Sequence, residues 1–445
     1  MGYMNRFGKR AQELASKSAH TEIVRDPDVQ KFLKSCQLPK SADEVVLTED
    51  LLVDFHPIAD NPVRHIVAVD AGYSEVPVRS EFPSATICFF QFGALFFAVE
   101  DLEALEHQPF IDPEDMAKLK RIQRLKLTLP MKNVMFGGEP TLTRSVRRAL
   151  YEFFQQPLDG ESLMETLRWF LFEEYRPSGP RSHWILASSP YGDASNIALQ
   201  RANLRSDFTW ETSQGPIYLT DVFRLHERID DAIGAGGIQA YIMTAIEQLI
   251  LVHLIRLVLQ TKPALLKQLM FIKDGPLAFF GQTARMHEPM RALAAYLLSE
   301  HDLFMAGLEK SGAFVEHAHE IKNKLPAGTL LVLGDNYIYR YIIPGTPDPD
   351  STYGRTTYYS AKLIFKTPAG AVHVVTVPTP ERLSEPTAPD LPNLRAILSN
   401  VEKLRCDMYD DALLPVALVN KLVSLSNHPS SKILKQFATG SLSPS

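Results

Sequence analysis

Three carboxylates in this 445-residue chain stand at positions where the surrounding sequence is apolar. Asp70 follows the β-branched run VRHIVAV, and Asp274 ends the run QLMFIKD. Glu247 falls in the middle of the apolar stripe of a helix predicted over residues 239–260. No basic residue lies three or four positions from Glu247, so it needs a metal, a distant Lys or Arg, or a proton as its partner.

Carboxylates that converge in a fold keep their charge when a cation lies among them, and hard cations such as Mg²⁺ and Mn²⁺ prefer oxygen ligands. Such a set suits metal-assisted hydrolysis of a phosphodiester. Each residue taken alone also has a simpler interpretation. A lone buried Glu is more often part of a structural ion pair, and Asp274-Gly275-Pro276 is good turn chemistry. Only the three together favour a metal site.

The elements that carry these carboxylates follow one another in a definite order. That order predicts an α/β fold with a ribonuclease H-like core, in which a mixed sheet is flanked by helices. A large insertion and a C-terminal β/α extension complete it. The predicted elements are a strand ending at Asp70, two strands within 84–99 that meet near Gly93, the helix with Glu247, the strand with Asp274, a helix over 284–299 and a strand over 303–310.

Four regions are predicted. Residues 1–60 form an N-terminal helical region, and residues 61–100 with 239–312 form the core. Residues 101–238 form a helical and irregular insertion with basic clusters at 118–126 and 143–150, interpreted as solvated helix faces. Residues 313–445 form a β-rich and helical part that completes the domain.

The chain resembles the NurA nucleases. The matching stretches cover most of residues 60–370 in the expected order: VAVDAGYSEVPV, IYLTDVFRLHERID, GAGGIQ, the helix with Glu247, FIKDGPLAFFG, GLEKSGAFVEHA and YGRTTYYSAKLIFKT. The resemblance implies a Mn²⁺- or Mg²⁺-dependent DNA nuclease with Asp70, Glu247 and Asp274 as metal ligands. It also implies a homodimer that works with a HerA-type hexameric ATPase in DNA end processing or anti-phage defence.

The same resemblance suggests a fourth metal-site residue on a C-terminal helix that returns to the core. Here that helix carries Asn420, whose side-chain oxygen can ligate a hard cation. His428, just beyond the helix, is the competing candidate and is otherwise interpreted as a loop histidine. Lys310 and Arg355 are only candidates for contact with DNA phosphates, because a Lys or Arg after a strand is more often just a solvated side chain.

Composition favours a soluble, cytoplasmic protein. The net charge of −6 indicates no general affinity for nucleic acid. This evidence is weak, because bound cations can supply the positive charge that a phosphate-binding site needs. The three cysteines are far apart and form no CxxC, which suits a reducing compartment. The most apolar segment, AIEQLILVHLIRLVLQ, is interrupted by charge and is predicted to be too short to span a membrane.

Two other functions fit parts of the sequence. Asp70-Ala71-Gly72-Tyr73-Ser74 matches the DxGx[ST] phosphate loop of actin-like phosphotransferases, but the Gly-rich segment GAGGIQA precedes KDGP, the reverse of the order that fold needs. A catalytically silent DNA-binding or scaffold subunit is the second alternative, and the presence of all three acidic residues counts against it.

Overall fold

A computed structural model describes residues 22–79, 81, 83–106, 123–158, 160–192, 194–348, 350–406, 412–425 and 430–442. A nine-stranded sheet runs through this part of the chain. Its strands are β1 (Leu52–Asp54), β2 (His65–Arg79), β3 (Ala85–Ala98), β4 (Gln123–Lys132), β11 (Leu269–Asp274), β12 (Phe304–Glu309), β13 (Thr329–Leu333), β14 (Ser360–Lys366) and β15 (Val372–Pro378). Their order across the sheet is β1-β13-β14-β15-β12-β11-β2-β3-β4.

The sheet is mixed. β2, β3 and β4 form an antiparallel meander, and β11 and β12 then run parallel to β2. The remaining strands extend the sheet with antiparallel pairs beyond β12. The predicted α/β class, with a large central mixed sheet and flanking helices, is confirmed.

The two strands predicted within 84–99 are in fact one. β3 pairs with β2 over almost its whole length, with Gly93 in the middle opposite Asp70. The prediction that the strand ends at Asp70 was also wrong, because β2 continues to Arg79. Residue pattern alone could not show this, because glycine and aspartate are both uncommon inside strands.

Helices cover both faces of the sheet. The helices of the described residues are α1 (Pro27–Ser35), α2 (Val99–Glu106), α3 (Leu142–Phe154), α4 (Leu163–Leu171), α5 (Gln239–Thr261), α6 (His287–Glu300), α7 (Ala313–Ile321), α8 (Asp335–Tyr337), α9 (Leu394–Lys403), α10 (Leu414–Val423) and α11 (Ser430–Leu442). α5 packs on the face that presents Val67, Val69 and Phe271. α9 and α10 pack on the opposite face, which presents Ile66 and Ala68.

α5 is longer than the apolar segment suggested. Its 23 residues are long and apolar enough to cross a membrane by length and composition alone. However, 67% of its most apolar window is buried within the protein, as in the core helix of a soluble protein. The prediction that this segment is too short to span a membrane was wrong. Because most of it is buried, α5 is a core helix of this fold.

The range 101–238 contributes both to the main sheet and to a separate subregion. β4 is an edge strand of the main sheet and pairs with β3. Beyond it, α3 and α4 pack with short hairpins, which are β5 (Pro157–Leu158) with β6 (Glu161–Ser162), β7 (His183–Ser188) with β8 (Ser195–Gln200), and β9 (Thr209–Trp210) with β10 (Ile217–Tyr218). Within this subregion, a buried ion pair between Arg147 and Asp221 (2.7 Å) joins α3 to the segment that follows β10.

A buried histidine on α7 predicts a pH dependence of stability. Burial lowers the pKa of His317 from 6.5 to about 4, and its Nε2 lies 2.9 Å from the Tyr337 hydroxyl. The unfolded chain therefore binds this proton first. We expect the free energy of unfolding to decrease as the pH falls from about 6.5 towards 4, by up to about 1.4 kcal/mol per pH unit from this group.

Urea unfolding at pH 7, 6 and 5, compared with His317→Gln, isolates this contribution because other titrating groups cancel between the two proteins. The unsubstituted protein should lose more stability than His317→Gln as the pH falls, so the difference between their free energies of unfolding should become smaller. Parallel pH profiles for the two proteins would contradict the assignment.

Candidate active site

Asp70 and Asp274 lie side by side on adjacent parallel strands. β2 and β11 pair in register as far as Val69 opposite Lys273, and the next residue on each strand is one of the two aspartates. Neighbouring strands lie about 4.8 Å apart, and successive side chains alternate between faces. Both aspartates therefore belong to the face that α10 covers.

The Asp70 carboxylate is buried, with 5% of the residue exposed. Its Oδ1 accepts the N–H of Ala71 (2.8 Å), and its Oδ2 accepts the side-chain amide of Asn420 (2.9 Å). Burial raises the pKa of Asp70 to about 6, with a further contribution from the negative charge of Asp274, against which the two hydrogen bonds act. The protein thus holds this carboxylate at a position where ionisation is costly.

Asp274 is more accessible and is paired with a lysine. Its Oδ2 accepts a hydrogen bond from Lys310 Nζ at 2.8 Å. Gly275, which follows, has φ +83°, a conformation in which glycine is favoured, and its N–H donates to the Leu308 carbonyl (2.6 Å). The Asp-Gly-Pro turn is therefore tied to β12, and it fixes where the Asp274 side chain leaves the sheet.

Glu247 approaches from the opposite face of the sheet, on α5. Its Oε2 lies 3.8 Å from Lys273 Nζ, and the same Nζ donates to the main-chain oxygen of Asp274 (2.6 Å). Burial raises the pKa of Glu247, while Lys273 lowers it and the charges of Asp70 and Asp274 raise it. The Ala71 N–H, which donates to Asp70, also lowers the pKa of Glu247.

The donor chemistry of the two aspartates fits a hard divalent cation. Asp70 is destabilised as an anion by Asp274, and a cation between neighbouring carboxylates relieves such repulsion. Their oxygen atoms are the ligands that Mg²⁺ and Mn²⁺ prefer. Within the described ranges, however, no group of three or more His, Cys, Asp or Glu side chains is arranged to hold a metal ion. Asp70 and Asp274 therefore fit such an ion as a pair, and a ligand role for Glu247 stays a prediction.

Asn420 reaches Asp70 because the end of α10 is seated on β2 and β3. Gln91 Nε2 donates to the Leu422 carbonyl (2.8 Å). Gly93 leaves room for Val423, whose Cγ1 would lie 2.6 Å from a Cβ at that position. Asn420 itself is exposed, so the side chain that donates to the buried Asp70 carboxylate lies at the protein surface.

We expect Asn420→Ala to weaken the use of Mn²⁺ by about 10- to 100-fold, the cost typical of removing a group that orients a ligating carboxylate. A Mn²⁺ titration of the rate of DNA cleavage, the activity that the sequence resemblance implies, measures this, with His428→Ala as the comparison. His428 lies outside the described residues. A loss of activity in His428→Ala, with Asn420→Ala unaffected, would reverse the assignment.

The other two candidates differ in their surroundings. Lys310 joins the acidic residues through Asp274. Arg355 does not, because its side chain hydrogen-bonds the Asp350 carbonyl within its own loop. Lys273, in contrast, contacts both Glu247 and Asp274 and was not singled out from the sequence. Strand alternation is the signal that could have found it, since a residue next to Asp274 must face α5.

Comparisons with known proteins find only distant similarity. No protein-family model and no curated protein matches the chain. Among solved structures, the NurA nuclease from Sulfolobus solfataricus aligns over 97% of both chains, with 9% identity and a TM-score of 0.34. A structure of NurA with manganese aligns over 97% of both chains, with 11% identity and a TM-score of 0.29. Both are NurA proteins, the family that the sequence resembles. At TM-scores below 0.5, neither alignment supports a role for any residue of this chain.

Proposed function

We propose that this protein is a divalent-metal-dependent DNA nuclease. The observation that carries the proposal is the placement of Asp70 and Asp274 at matching positions on adjacent parallel strands, with the exposed Asn420 beside them. The arrangement β4-β3-β2-β11-β12, three antiparallel strands followed by two parallel to β2, supports a ribonuclease H-like core. The sequence resemblance to NurA nucleases supports DNA as the substrate.

The residues have separate tasks in this proposal. Asp70 and Asp274 would hold Mg²⁺ or Mn²⁺, and the ion would supply activation of a water and stabilisation of the leaving oxygen. Water adds to phosphorus as one P–O ester bond breaks, the water gives up a proton, and the departing oxygen takes one up. Lys310, 2.8 Å from Asp274 Oδ2, supplies positive charge near the place where a phosphate oxygen would lie. Asn420 keeps the Asp70 carboxylate in position.

A catalytically silent DNA-binding subunit is the second candidate. It is favoured by the pairing of Glu247 with Lys273 and of Asp274 with Lys310, because each lysine partly neutralises a carboxylate that the metal would need. One assay separates the two functions. Purified protein is incubated with end-labelled single- and double-stranded DNA in Mn²⁺, in Mg²⁺ and in excess chelator.

The nuclease proposal expects cleavage with either metal and none with chelator. Binding of DNA without cleavage in both metals would instead support the silent subunit. We also infer, from the sequence resemblance alone, a homodimer that acts with a HerA-type hexameric ATPase. Light scattering that shows only monomer at micromolar concentration and physiological salt would count against the dimer.

A further inference from the structure

A cavity between α4 and the β8–β9 connection carries an unusual concentration of arginine. Three arginine side chains surround about 280 Å³ of open space, and the lining residues are Arg168, Glu174, Arg201, Leu204, Arg205, Ser206 and Phe208. We propose that this arginine pocket binds a backbone phosphate of a DNA strand, away from the site of cleavage. The proposal rests on the proposed function for the identity of the ligand.

The arginine pocket has more positive than negative charge. Glu174 Oε1 accepts Nε and Nη2 of Arg201, both at 3.0 Å, and lies 3.3 Å from Arg168 Nε. One carboxylate therefore faces two guanidinium groups. Arg205 pairs with Glu211 at 2.5 Å on the rim, where both side chains are more than half exposed. Solvent screens that rim pair strongly.

Unused hydrogen-bond donors point to an anion as the ligand. A guanidinium has five N–H donors. Within the described ranges, Nε and Nη2 of Arg201 and Nη1 of Arg205 contact carboxylates, whereas Arg168 Nε is buried 3.3 Å from Glu174 Oε1 and makes no hydrogen bond. The other N–H groups of these arginines have no protein partner there. Planar guanidinium forks match the oxygen atoms of phosphate better than a lysine does.

The backbone around the arginine pocket is held in a costly conformation. Phe208 has φ +62°, which a bulky aromatic residue rarely adopts. Its N–H donates to the Arg205 carbonyl (2.9 Å), and the Arg205 N–H donates to the Thr209 carbonyl (3.0 Å). The Phe208 ring lies 5.9 Å from the Arg168 guanidinium carbon. The turn thus fixes Arg205 and gives Arg168 a surface to rest on.

The arginine pocket is connected to the candidate active site through α5. Arg256 on this helix donates to Thr166 on α4 (3.2 Å), two residues before Arg168. Arg256 follows Glu247 by nine positions, on the order of 14 Å along the helix axis. The arginine pocket and the candidate active site are thus joined by packed helices, and DNA is assigned as the ligand because the proposed function makes DNA the substrate.

The test measures DNA binding by the full-length chain carrying Asp274→Asn, in chelator so that no strand is cut. The probe is a fluorescein-labelled single-stranded 20-mer, and anisotropy is recorded over a series of NaCl concentrations. Arg201→Gln and Arg205→Gln should each weaken binding about 5- to 20-fold and reduce the slope of log K against log salt by about one. Glu174→Gln should strengthen binding several-fold, which misfolding would not do.

Arg176→Gln is the matched control. Arg176 has the same 43% side-chain exposure as Arg201 and is likewise paired with a glutamate, but it does not line the arginine pocket. The affinity of Arg176→Gln for the 20-mer should stay within about twofold of that of the protein carrying Asp274→Asn alone. Equal affinities for all the variants would overturn the proposal, whatever the nuclease assay shows.

Isothermal titration with inorganic phosphate distinguishes a second source of the ligand. If Arg201→Gln loses binding of free phosphate but keeps its DNA affinity, the arginine pocket serves a small anion and the DNA assignment is wrong. A second outcome is that the arginine variants lose DNA affinity while the unsubstituted protein fails to cleave DNA in Mn²⁺. In that case the arginine pocket is confirmed as a DNA-binding site and the proposed nuclease function is wrong.

Discussion

Asp274→Asn and Asp70→Asn are each expected to reduce DNA cleavage by a factor on the order of 10³, while the protein stays folded. Each change removes one negative charge and replaces one carboxylate oxygen by an amide nitrogen, so the proposed pair would bind a divalent cation more weakly, while the side-chain volume stays almost unaltered and no cavity forms. Initial rates with end-labelled duplex, at matched and saturating Mn²⁺, measure the effect.

Asp335→Asn is the matched control for these variants. Asp335 is as buried as Asp70, each with 5% exposure, and it also follows an apolar strand. Its carboxylate accepts the N–H of Tyr353 (3.2 Å) and lies outside the pair formed by Asp70 and Asp274. We expect its cleavage rate to stay within about threefold of the parent. Normal cleavage by Asp70→Asn or Asp274→Asn would remove that residue from the metal site.

Gly72→Ala is expected to have the largest effect on stability. A Cβ at Gly72 would lie 2.4 Å from the Val423 carbonyl oxygen and 3.1 Å from its carbon. These are main-chain atoms, so the end of α10 must move, and overpacking of this kind costs about 1–3 kcal/mol or more. Because α10 also carries Asn420, we expect cleavage to fall together with stability.

Urea unfolding gives the change in stability, and Gly236→Ala serves as the control. Nothing lies within 4 Å of a Cβ built at Gly236, and its φ is not in the positive range. Its free energy of unfolding should stay within about 0.5 kcal/mol of the parent. If Gly72→Ala were equally harmless, the contact between α10 and β2 would not be as close as the structure has it.

Features set by local periodicity could be predicted from the sequence. The helix bearing Glu247 was predicted over 239–260 and spans Gln239–Thr261, because its 3.6-residue pattern is long. The strand that ends at Asp274 was predicted from the short, nearly continuous apolar run QLMFIKD. Asn420 was placed on a returning helix by family resemblance, and the structure puts its amide 2.9 Å from Asp70 Oδ2.

Features set by pairing between distant segments could not be predicted in this way. The extent of β2 beyond Asp70 depends on β3, and the matching positions of Asp70 and Asp274 depend on a register that composition does not encode. The approach of Glu247 from the opposite face depends on which side of the sheet α5 covers. The arginine pocket brings Arg168 together with Arg201 and Arg205, which lie far from it in the sequence. The turn at Phe208 that helps to form the pocket is not predicted by any periodic pattern.

The order of the strands has a consequence for biosynthesis. β2 is made early, but one of its two neighbours, β11, emerges roughly two hundred residues later, which takes about 10–40 s at 5–20 residues per second. Until then β2 is an edge strand of the meander formed by β2, β3 and β4, and the side of its apolar part that later pairs with β11 has no partner strand. Such an edge can pair with another chain. We expect nascent chains that stall before residue 269 to aggregate or to depend on chaperones, whereas chains released after β12 close this edge on themselves.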